Sequence, residues 1–309
     1  KLIMKLFLVI SILFLLNHCS FDNKTGIWRD ANNPDDISVN NNDVFKGFKK
    51  TSTTEEKFNR IIQNKKKIKL LFEPLNNDKW NDIFYSSNNN LKNFKYKNLN
   101  QIVFKSKKLT KNYPNKYLLY DNKNLIFGDD DGNLIVFSIY QDKIISKYNF
   151  YKNKFKRIKK NLNFIVENNI IYVGDNLGYI YAYNYSLNKI IWAKNYKIPF
   201  SSNIKIINNK ILISNQNNNL YILSKKNGEL LKLIPTEEFV IKNQFINNLS
   251  INKNTLFYLN SFGSLYSINT SDMKVNWFNN FNQSLDLLPS NLFFGNTLVN
   301  TNKVIIISS

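Results

Sequence analysis

The sequence repeats a strand–turn–strand pattern four times, and this repeat limits the possible fold more than any other feature. In each copy a strand rich in β-branched and aromatic residues leads into a polar turn, and a second alternating strand follows. The copies read NLIFGDDDGNLIVFSI, IIYVGDNLGYIYAYNY, KILISNQNNNLYILSK and TLFYLNSFGSLYSINT. Tight hairpin turns require a positive φ that only Gly and Asn adopt at low cost. The same turn position is accordingly occupied by Gly132, Gly178, Asn218 and Gly263.

The copies are spaced by 46, 40 and 45 residues, and each is followed by a further strand. These later strands read KIISKYNF, KIIWAKNY, ELLKLIPT and KVNWFNNF. A less regular apolar strand precedes some copies, as at 162–166 and 202–207. Four antiparallel strands in about 40–45 residues is the period of a propeller blade. The sequence therefore predicts an all-β fold, a β-propeller of four-stranded antiparallel blades over 76–309, with a fifth blade beginning at Leu292.

Two tryptophans recur at one position of the later strand. Trp192 and Trp277 occupy this position in the second and fourth copies, and Ser146 and Lys232 replace them in the others. A large aromatic side chain at a fixed place in each blade is most simply a packing residue between neighbouring blades. We therefore predict that this position contacts the next blade.

The N-terminal segment has the pattern of an export signal. Lys5 precedes an apolar run over 6–16 that is interrupted only by Ser11, and Cys19 follows soon after. A run of this length is too short to cross a bilayer as a helix but suits the core of a signal peptide. Residues 1–18 are predicted to be a lipoprotein signal peptide, with lipidation at Cys19 and a polar tether over 19–75. His18 stands where such signals prefer a smaller residue, so an ordinary secretory signal with an incidental Cys is the alternative.

Cleavage before Cys19 would remove the only histidine of this sequence and leave its only cysteine as the lipidated residue. Without these side chains, Ser-His-Asp and Cys-His catalysis, zinc bound through His or Cys, and disulfides are excluded for the rest of the sequence. No metal or cofactor is predicted. The run Asp129–Asp131 before Gly132 lacks carboxylates at the first and last positions of a calcium loop, so a polar hairpin is favoured. Glu237 and Glu238 are adjacent on the chain and point apart, which disfavours an acid–base pair.

The charge is strongly positive, with 43 basic and 22 acidic residues and a formal net charge of +21. Lysine shares AT-rich codons with the abundant Asn, Ile, Phe and Tyr, so its high frequency follows from codon usage. A solvated lysine surface without a dedicated partner is therefore the simplest explanation of the charge. The densest basic stretch of the repeat region is 152–160. Arginine is almost absent, which disfavours nucleic-acid readout, and so does export. Attraction to anionic lipid headgroups or to an acidic partner stays open as the alternative.

The pattern Gly-x-Leu/Ile-Tyr-x-(Ile/Tyr) followed by Lys-x-x-Trp resembles the PQQ-like, or quinoprotein-type, propeller repeat. Together with the lipoprotein signal, the sequence resembles the BamB family of outer-membrane protein assembly lipoproteins. That family has eight blades, whereas about four and a half are visible here. The resemblance implies that the reading frame continues with at least three further blades. It also implies that 98–108 forms the N-terminal strand that completes the last blade.

The resemblance implies a non-enzymatic scaffold of the β-barrel assembly machinery, anchored by lipid at the periplasmic face of the outer membrane. Its partner would be the periplasmic domains of the barrel-assembly protein BamA, with unfolded outer-membrane proteins as a second candidate. By the same resemblance, the loops 198–202 and 244–248 would form the interface. The candidate residues there are Pro199, Phe200, Ser201, Gln244, Phe245 and Asn247.

Two other functions stay open from the sequence. The same repeat occurs in PQQ-dependent enzymes, so a periplasmic PQQ-dependent or sugar-handling enzyme is the first alternative. A shared fold does not transfer that chemistry, and no set of acidic and amide side chains for the quinone and its metal ion is evident. The second alternative is a structural envelope lipoprotein with an unrelated partner.

Overall fold

The computed structural model describes residues 19–22, 27–30, 79–91, 93–95, 101–102, 104–151, 155–238, 246–281, 293, 297–301 and 304–307. The chain forms two compact units, Lys1–Phe48 and Lys49–Ser309. The described part of the first unit is an antiparallel hairpin of β1 (Cys19–Asp22) and β2 (Ile27–Asp30). The predicted signal peptide lies outside the described residues, whereas Cys19 begins β1.

The described part of the second unit contains four four-stranded antiparallel sheets, each built from strands that are consecutive in the sequence. Blade 1 comprises β3 (Pro114–Asp121), β4 (Asn124–Asp129), β5 (Asn133–Ser138) and β6 (Lys143–Asn149). Blade 2 comprises β7 (Leu162–Glu167), β8 (Ile170–Asp175), β9 (Tyr179–Asn184) and β10 (Lys189–Asn195). Blade 3 comprises β11 (Lys205–Ile207), β12 (Lys210–Ser214), β13 (Leu220–Ser224) and β14 (Leu230–Ile234). Blade 4 comprises β15 (Asn248–Asn252), β16 (Thr255–Leu259), β17 (Ser264–Asn269) and β18 (Val275–Asn280). A two-stranded sheet of β19 (Val299–Asn300) and β20 (Ile305–Ile306) follows, and the predicted fold is confirmed.

Neighbouring blades pack face to face, and the hydrophobic cores lie between them. In β9, Tyr181 and Tyr183 pack with blade 1, whereas Ile180 and Ala182 pack with blade 3. Because side chains alternate along a strand, one strand can serve both interfaces. A third core joins blades 3 and 4 through Leu212, Leu220, Ile222, Leu249, Leu256 and Tyr258. Burial of the two faces of each blade is therefore the main stabilising contribution to this stack.

The turn glycines and asparagine have the backbone conformation that the repeat predicts. The φ angles are +85° at Gly132, +83° at Gly178, +68° at Asn218 and +85° at Gly263. Asparagine also occupies the turns between first and second strands. Asn168 and Asn169 have φ of +50° and +64°, and Asn208 and Asn209 have φ of +45° and +62°. Two successive positive values define the type I′ hairpin turn, so the asparagine-rich composition has a structural use here.

The recurrent position of the fourth strand reaches the next blade in three consecutive cases. Ser146 of blade 1 shares a hydrogen bond of 2.7 Å with the hydroxyl of Tyr183. The indole N–H of Trp192 donates to the carbonyl of Lys225 at 3.0 Å. The ammonium of Lys232 donates to the carbonyl of Met273 at 2.6 Å. The predicted packing role between blades is confirmed for Trp192 and for Trp277, which packs in one cluster with Leu298 and Ile305 beyond blade 4, whereas Ser146 and Lys232 make polar contacts at the same position.

The described residues of 98–108 contact blade 1, and the pairing of this segment with the last blade stays a prediction. Its described residues, 101–102 and 104–108, belong to no strand. Instead, the ring of Phe104 lies 5.7 Å from that of Phe137 on β5. Phe137 alternates with Val136, which faces blade 2, so Phe104 covers the other face of blade 1.

Candidate partner-binding face and axial segment

In every blade the turn between the second and third strands leaves the sheet at the same end as the connection to the next blade. We call this the loop end. The connections are the first junction (150–161), the second junction (196–204) and the third junction (235–247). The described parts of these segments form the candidate partner-binding face, because the residues predicted to bind a partner lie in the second and third junctions.

Each loop-end turn is organised by one acidic or amide side chain. In blade 1, Oδ1 of Asp129 accepts hydrogen bonds from the backbone N–H groups of Asp131 (3.1 Å) and Asn133 (2.9 Å). The equivalent side chains in the other blades are Asp175, Asn215 and Asn260. Each accepts hydrogen bonds from the backbone N–H groups of the residues two and four positions later. The other carboxylate oxygen of Asp129 accepts from Thr110 (2.8 Å) and Asn112 (3.1 Å). This is the polar hairpin that the sequence favoured over a calcium loop.

At the first junction, a tyrosine binds the organising residue of the next blade. The hydroxyl of Tyr151 donates to Oδ2 of Asp175, and the neighbouring Phe150 stacks on Tyr181 at 4.6 Å between ring centroids. Burial raises the pKa of the Asp175 carboxyl above its ordinary value, and hydrogen bonds from Tyr151 and the backbone oppose that shift. The donors to Asp175 are neutral groups, so its charge is stabilised by hydrogen bonds within the turn and across the junction.

At the third junction, the acidic residue lies on the connection instead of the blade. Oε1 of Glu237 accepts from the hydroxyl of Ser264 at 2.7 Å. Oε2 accepts from the hydroxyl of Tyr266 at 2.7 Å and from Nδ2 of Asn260 at 2.9 Å. Glu238 instead accepts from Asn219 of blade 3 at 2.8 Å. The two glutamates therefore bind different blades, and each serves to fix the connection.

The second junction contains three of the predicted partner-binding residues. Phe200 is only 3% exposed, and its ring packs against those of Tyr196 and Tyr221 at 6.1 Å and 5.7 Å. Pro199 is half-buried, and its carbonyl accepts from the backbone of Gln216 at 2.8 Å. The predicted role of Phe200 as an exposed anchor does not fit its position, because neighbouring aromatic rings already enclose it.

Asn247 of the third junction is likewise internal, with 1% of its surface exposed. Its Nδ2 donates to Oγ of Ser214 at 2.9 Å, and its Oδ1 accepts from the backbone of Ser261 at 2.8 Å. Its backbone N–H donates to the carbonyl of Ser201 at 2.8 Å, so the second and third junctions are directly joined. The structure therefore brings Ser201 and Asn247 together but gives Asn247 an internal role. Gln244 and Phe245 lie outside the described residues.

A segment that the sequence did not single out lies against the first strands of successive blades. We call 79–91 the axial segment, since the first strand of each blade is the innermost one in a propeller. Trp80 exchanges two backbone hydrogen bonds with Tyr120 of β3, at 2.7 Å and 2.8 Å. Further backbone bonds link this segment to Val166 of β7, Ile251 of β15 and Asn300 of β19. One short stretch of chain thus ties together the inner strands of blades 1, 2 and 4 and β19.

Blade 3 is tied to the axial segment by a buried ion pair. The ammonium of Lys205 donates to Oδ2 of Asp82 (2.6 Å), the carbonyl of Ser86 (2.8 Å) and Oδ1 of Asn89 (2.5 Å). Burial lowers the pKa of Lys205, and the charge of Asp82 opposes that shift. A cleft of about 140 Å³ lies beside this cluster. The signal in the sequence was a lysine inside the apolar run of 204–207.

These features define a class of protein: a β-propeller whose loop end is fixed by hydrogen bonds between blades and whose inner strands are joined by the axial segment. No protein-family model matches the sequence, and no curated protein matches it either. The structure is similar to that of BamB from Moraxella catarrhalis, with a TM-score of 0.51 and 12% identity. The similarity covers 61% of this chain and 56% of that one, so this chain matches little more than half of the BamB length.

Two computationally designed proteins give weaker matches. Ika4 has a TM-score of 0.45, 11% identity and coverage of 55% of this chain and 99% of its own. Ika8 has a TM-score of 0.42, 10% identity and coverage of 62% and 66%. At these identities the comparisons with solved structures show the fold alone. Among the residues that the structure describes, no helix has the length and apolar character needed to span a membrane.

Proposed function

We propose that this chain is a non-enzymatic scaffold lipoprotein that assists outer-membrane protein assembly through contacts of its loop end with the periplasmic domains of BamA. The observation that carries the proposal is the joined loop end. The second and third junctions, which the sequence resemblance assigns to the interface, are bonded directly through Ser201 and Asn247. The described parts of these two junctions are held by hydrogen bonds, and such a surface suits protein binding, because little conformational entropy is lost when a partner docks. The similarity of the fold to BamB supports the same proposal.

The internal positions of Phe200 and Asn247 change which residues would touch the partner. In the second junction, Lys197 is exposed, and Tyr196, Ile198, Pro199 and Ser201 are half-buried. Phe200 and Asn247 would act as positioning residues that hold this surface in place. The proposed contact is therefore made by the side chains that flank the buried aromatic ring.

The decisive experiment is affinity purification of the tagged full-length protein from cells, followed by detection of BamA. The double variant Lys197→Glu/Pro199→Arg should lose BamA, because it reverses a charge and adds bulk at the proposed contact. Lys274→Glu/Ser271→Arg is the matched control, since it makes comparable changes at exposed positions of a turn at the opposite end of blade 4. Failure of the wild-type protein to retain BamA would overturn the proposal. Equal retention by the two variants would exclude the second junction as the contact.

Lipid anchoring at Cys19 is part of the same proposal. Acyl chains contribute about 0.8 kcal/mol per buried CH₂, so a multiply acylated cysteine holds a protein at a membrane without a spanning segment. Cys19→Ala should release the protein to the soluble periplasmic fraction or leave it unprocessed. Ser20→Asp is the control, because by resemblance to lipoprotein sorting it should alter the destination membrane and keep the lipid. A cleaved Cys19→Ala protein that stays membrane-bound would contradict lipid anchoring.

The absence of enzymatic activity is also proposed. Incubation of the purified protein with PQQ and calcium should give no bound-quinone spectrum. The appearance of a stoichiometric quinone spectrum would favour the enzyme alternative.

A further inference from the structure

Two basic segments flank the loop-end turn of blade 1. One is 107–113, which leads into β3, and the other is 155–160, which precedes β7. Both are bonded to Asp130: its backbone N–H donates to the carbonyl of Tyr113 at 2.9 Å, and its carbonyl accepts from the backbone of Lys160 at 2.9 Å. We call these two segments the basic patch. They are distant in the sequence and share one surface because the turn joins them.

Positive charge is in excess on this surface. The aspartates of the turn are engaged locally. Asp129 is buried and accepts the hydrogen bonds of the turn, Asp130 lies 3.9 Å from Lys159, and Asp131 lies 3.9 Å from Lys160. Lys159 nevertheless has 83% of its side chain exposed. The exposed basic residues of the patch are Lys107, Lys108, Lys111, Lys156, Arg157 and Lys159.

Apolar side chains are exposed among these charges. Tyr113 is 78% exposed and Ile158 is 44% exposed. The ammonium of Lys159 lies 5.8 Å from the ring centroid of Tyr113. An aromatic ring and an aliphatic side chain surrounded by lysines are the combination that binds at the boundary between lipid headgroups and acyl chains.

The equivalent surface of blade 3 shows that this charge is local. There the loop-end turn contains Asn215 and Asn218, and the described part of the following junction contributes Glu237 and Glu238. A lysine-rich composition alone would spread positive charge evenly over equivalent positions. The basic patch is therefore a feature of the loop end of blade 1 that the described part of the equivalent surface of blade 3 does not share.

We propose that the basic patch docks on an anionic lipid surface, with its lysines and Arg157 facing headgroup phosphates and with Tyr113 and Ile158 in the interfacial layer. Charge complementarity and the exposed apolar side chains favour this occupant. Nucleic acid is disfavoured because Arg157 is the one arginine of the patch, and arginine is the residue suited to bidentate phosphate recognition. An acidic protein partner would need an apolar surface at the position that contacts Ile158, whereas the interfacial layer of a bilayer offers an apolar surface at every position. The inference rests on these residues alone and is independent of the barrel-assembly role.

The test is co-sedimentation of the full chain carrying Cys19→Ala, which removes any lipid anchor, with vesicles. The vesicles contain phosphatidylcholine alone or phosphatidylcholine mixed with phosphatidylglycerol, at about 0.1 M and about 0.5 M salt. In this background, Lys108→Gln/Lys111→Gln/Lys156→Gln/Arg157→Gln neutralises the patch. The matched control removes four exposed lysines at the opposite end of the blades, in or next to the turns between third and fourth strands: Lys143→Gln/Lys189→Gln/Lys226→Gln/Lys274→Gln.

We expect binding to the anionic vesicles that is lost at high salt and weak binding to the neutral ones. Each basic residue at an anionic surface strengthens binding roughly fivefold, so the patch variant, which removes four, should bind up to roughly 600-fold more weakly. The control should change binding less than the patch variant does. A further variant, Tyr113→Ser/Ile158→Ser, should weaken vesicle binding and leave heparin binding unchanged, which separates a membrane from a soluble polyanion.

Equal losses in the patch and control variants would overturn the proposal, because net charge alone would then explain the binding. Equal binding of wild-type protein to neutral and anionic vesicles would overturn it as well. Tight binding to RNA without binding to anionic vesicles would replace the lipid by nucleic acid. Thermal unfolding of each variant shows whether a loss of vesicle binding arises from misfolding. If the patch variant is misfolded, the comparison of vesicle binding with heparin binding in Tyr113→Ser/Ile158→Ser still tests the proposal.

Discussion

The charged groups at the axial segment and those at the loop-end turns of blades 2 and 4 are stabilised differently. At the axial segment the ammonium of Lys205 is enclosed with its counterion Asp82 and with neutral oxygen atoms. At the loop end the carboxylates of Asp175 and Glu237 accept hydrogen bonds from hydroxyl, amide and backbone donors. The axial site uses opposite charges, whereas Asp175 and Glu237 are stabilised by oriented neutral dipoles.

The difference indicates where a charge is required. At the loop end the repeat itself replaces acid by amide, because Asn215 and Asn260 make the same two backbone hydrogen bonds as Asp175. At the axial segment, Lys205 and Asp82 are 123 positions apart in the sequence, and each neutralises the other. We therefore expect charge to be replaceable at the loop end. At the axial segment it should be replaceable only when both partners change together.

The largest effect is expected for Lys205→Met. Removing one partner of a buried ion pair leaves the other charge uncompensated, which typically costs about 3–5 kcal/mol. Urea unfolding followed by tryptophan fluorescence measures this loss. Lys205→Met/Asp82→Asn should recover most of the stability, because no buried charge remains and the asparagine keeps an acceptor for the backbone of Phe84.

The control for this variant is Lys225→Met. Lys225 and Glu167 form an equally short pair of 2.6 Å, but both side chains are partly exposed. Solvated pairs of this kind contribute about 0–1 kcal/mol. If Lys205→Met destabilises the protein no more than Lys225→Met does, the axial ion pair is not the link that holds blade 3 to the axial segment.

The second effect is expected for Asn260→Asp at the third junction. This change places a second carboxylate at the site where Nδ2 of Asn260 now donates to Glu237 at 2.9 Å. Like charges at this distance in a partly buried site should cost about 2 kcal/mol once both are ionised. Urea unfolding at neutral pH measures this loss against the wild type.

Adding Glu237→Gln to Asn260→Asp should reverse most of that loss. The double variant has one acid on the blade and a neutral partner on the connection, which is the arrangement of the first junction. A double variant less stable than Asn260→Asp alone would show that the two junctions are not equivalent.

The third effect is expected for Glu237→Gln alone. A glutamine offers one oxygen atom where Glu237 uses two, so either Asn260 or Ser264 loses its acceptor. Hydrogen bonds to charged groups contribute about 1.5–3 kcal/mol, and partial solvent access to Glu237 should lower the loss to about 1 kcal/mol. Glu238→Gln is the control, since Glu238 is exposed and accepts from one donor of blade 3. Equal losses in the two variants would show that Glu237 is not a specific link between blades.

The two regions also differ in how far the sequence predicted them. The loop end follows from local rules: Gly178 and its equivalents require positive φ, and the repeat marks their positions. No repeat in the sequence marks the axial segment, because Asp82 contacts Lys205 only once the blades have stacked. Burial of Phe200 was missed for the same reason, since Tyr221 belongs to the next blade. Only a lysine within an apolar strand hinted at the axial contact.

The smallest effect is expected for Asp175→Asn, and its size depends on pH. The folded-state pKa of Asp175 is raised above the ordinary value of 3.8, mainly by burial. The folded protein therefore holds this proton more tightly than the unfolded chain, and wild-type stability falls as the pH rises from about 4 through the raised pKa. The substituted asparagine would have no proton to lose, and its Nδ2 can donate to Tyr151, whose hydroxyl also accepts. The variant should thus match the wild type near pH 4 and gain relative stability towards neutral pH. Paired urea titrations across this range measure the difference, and a difference that does not vary with pH would show that Asp175 is as well stabilised when ionised as in water.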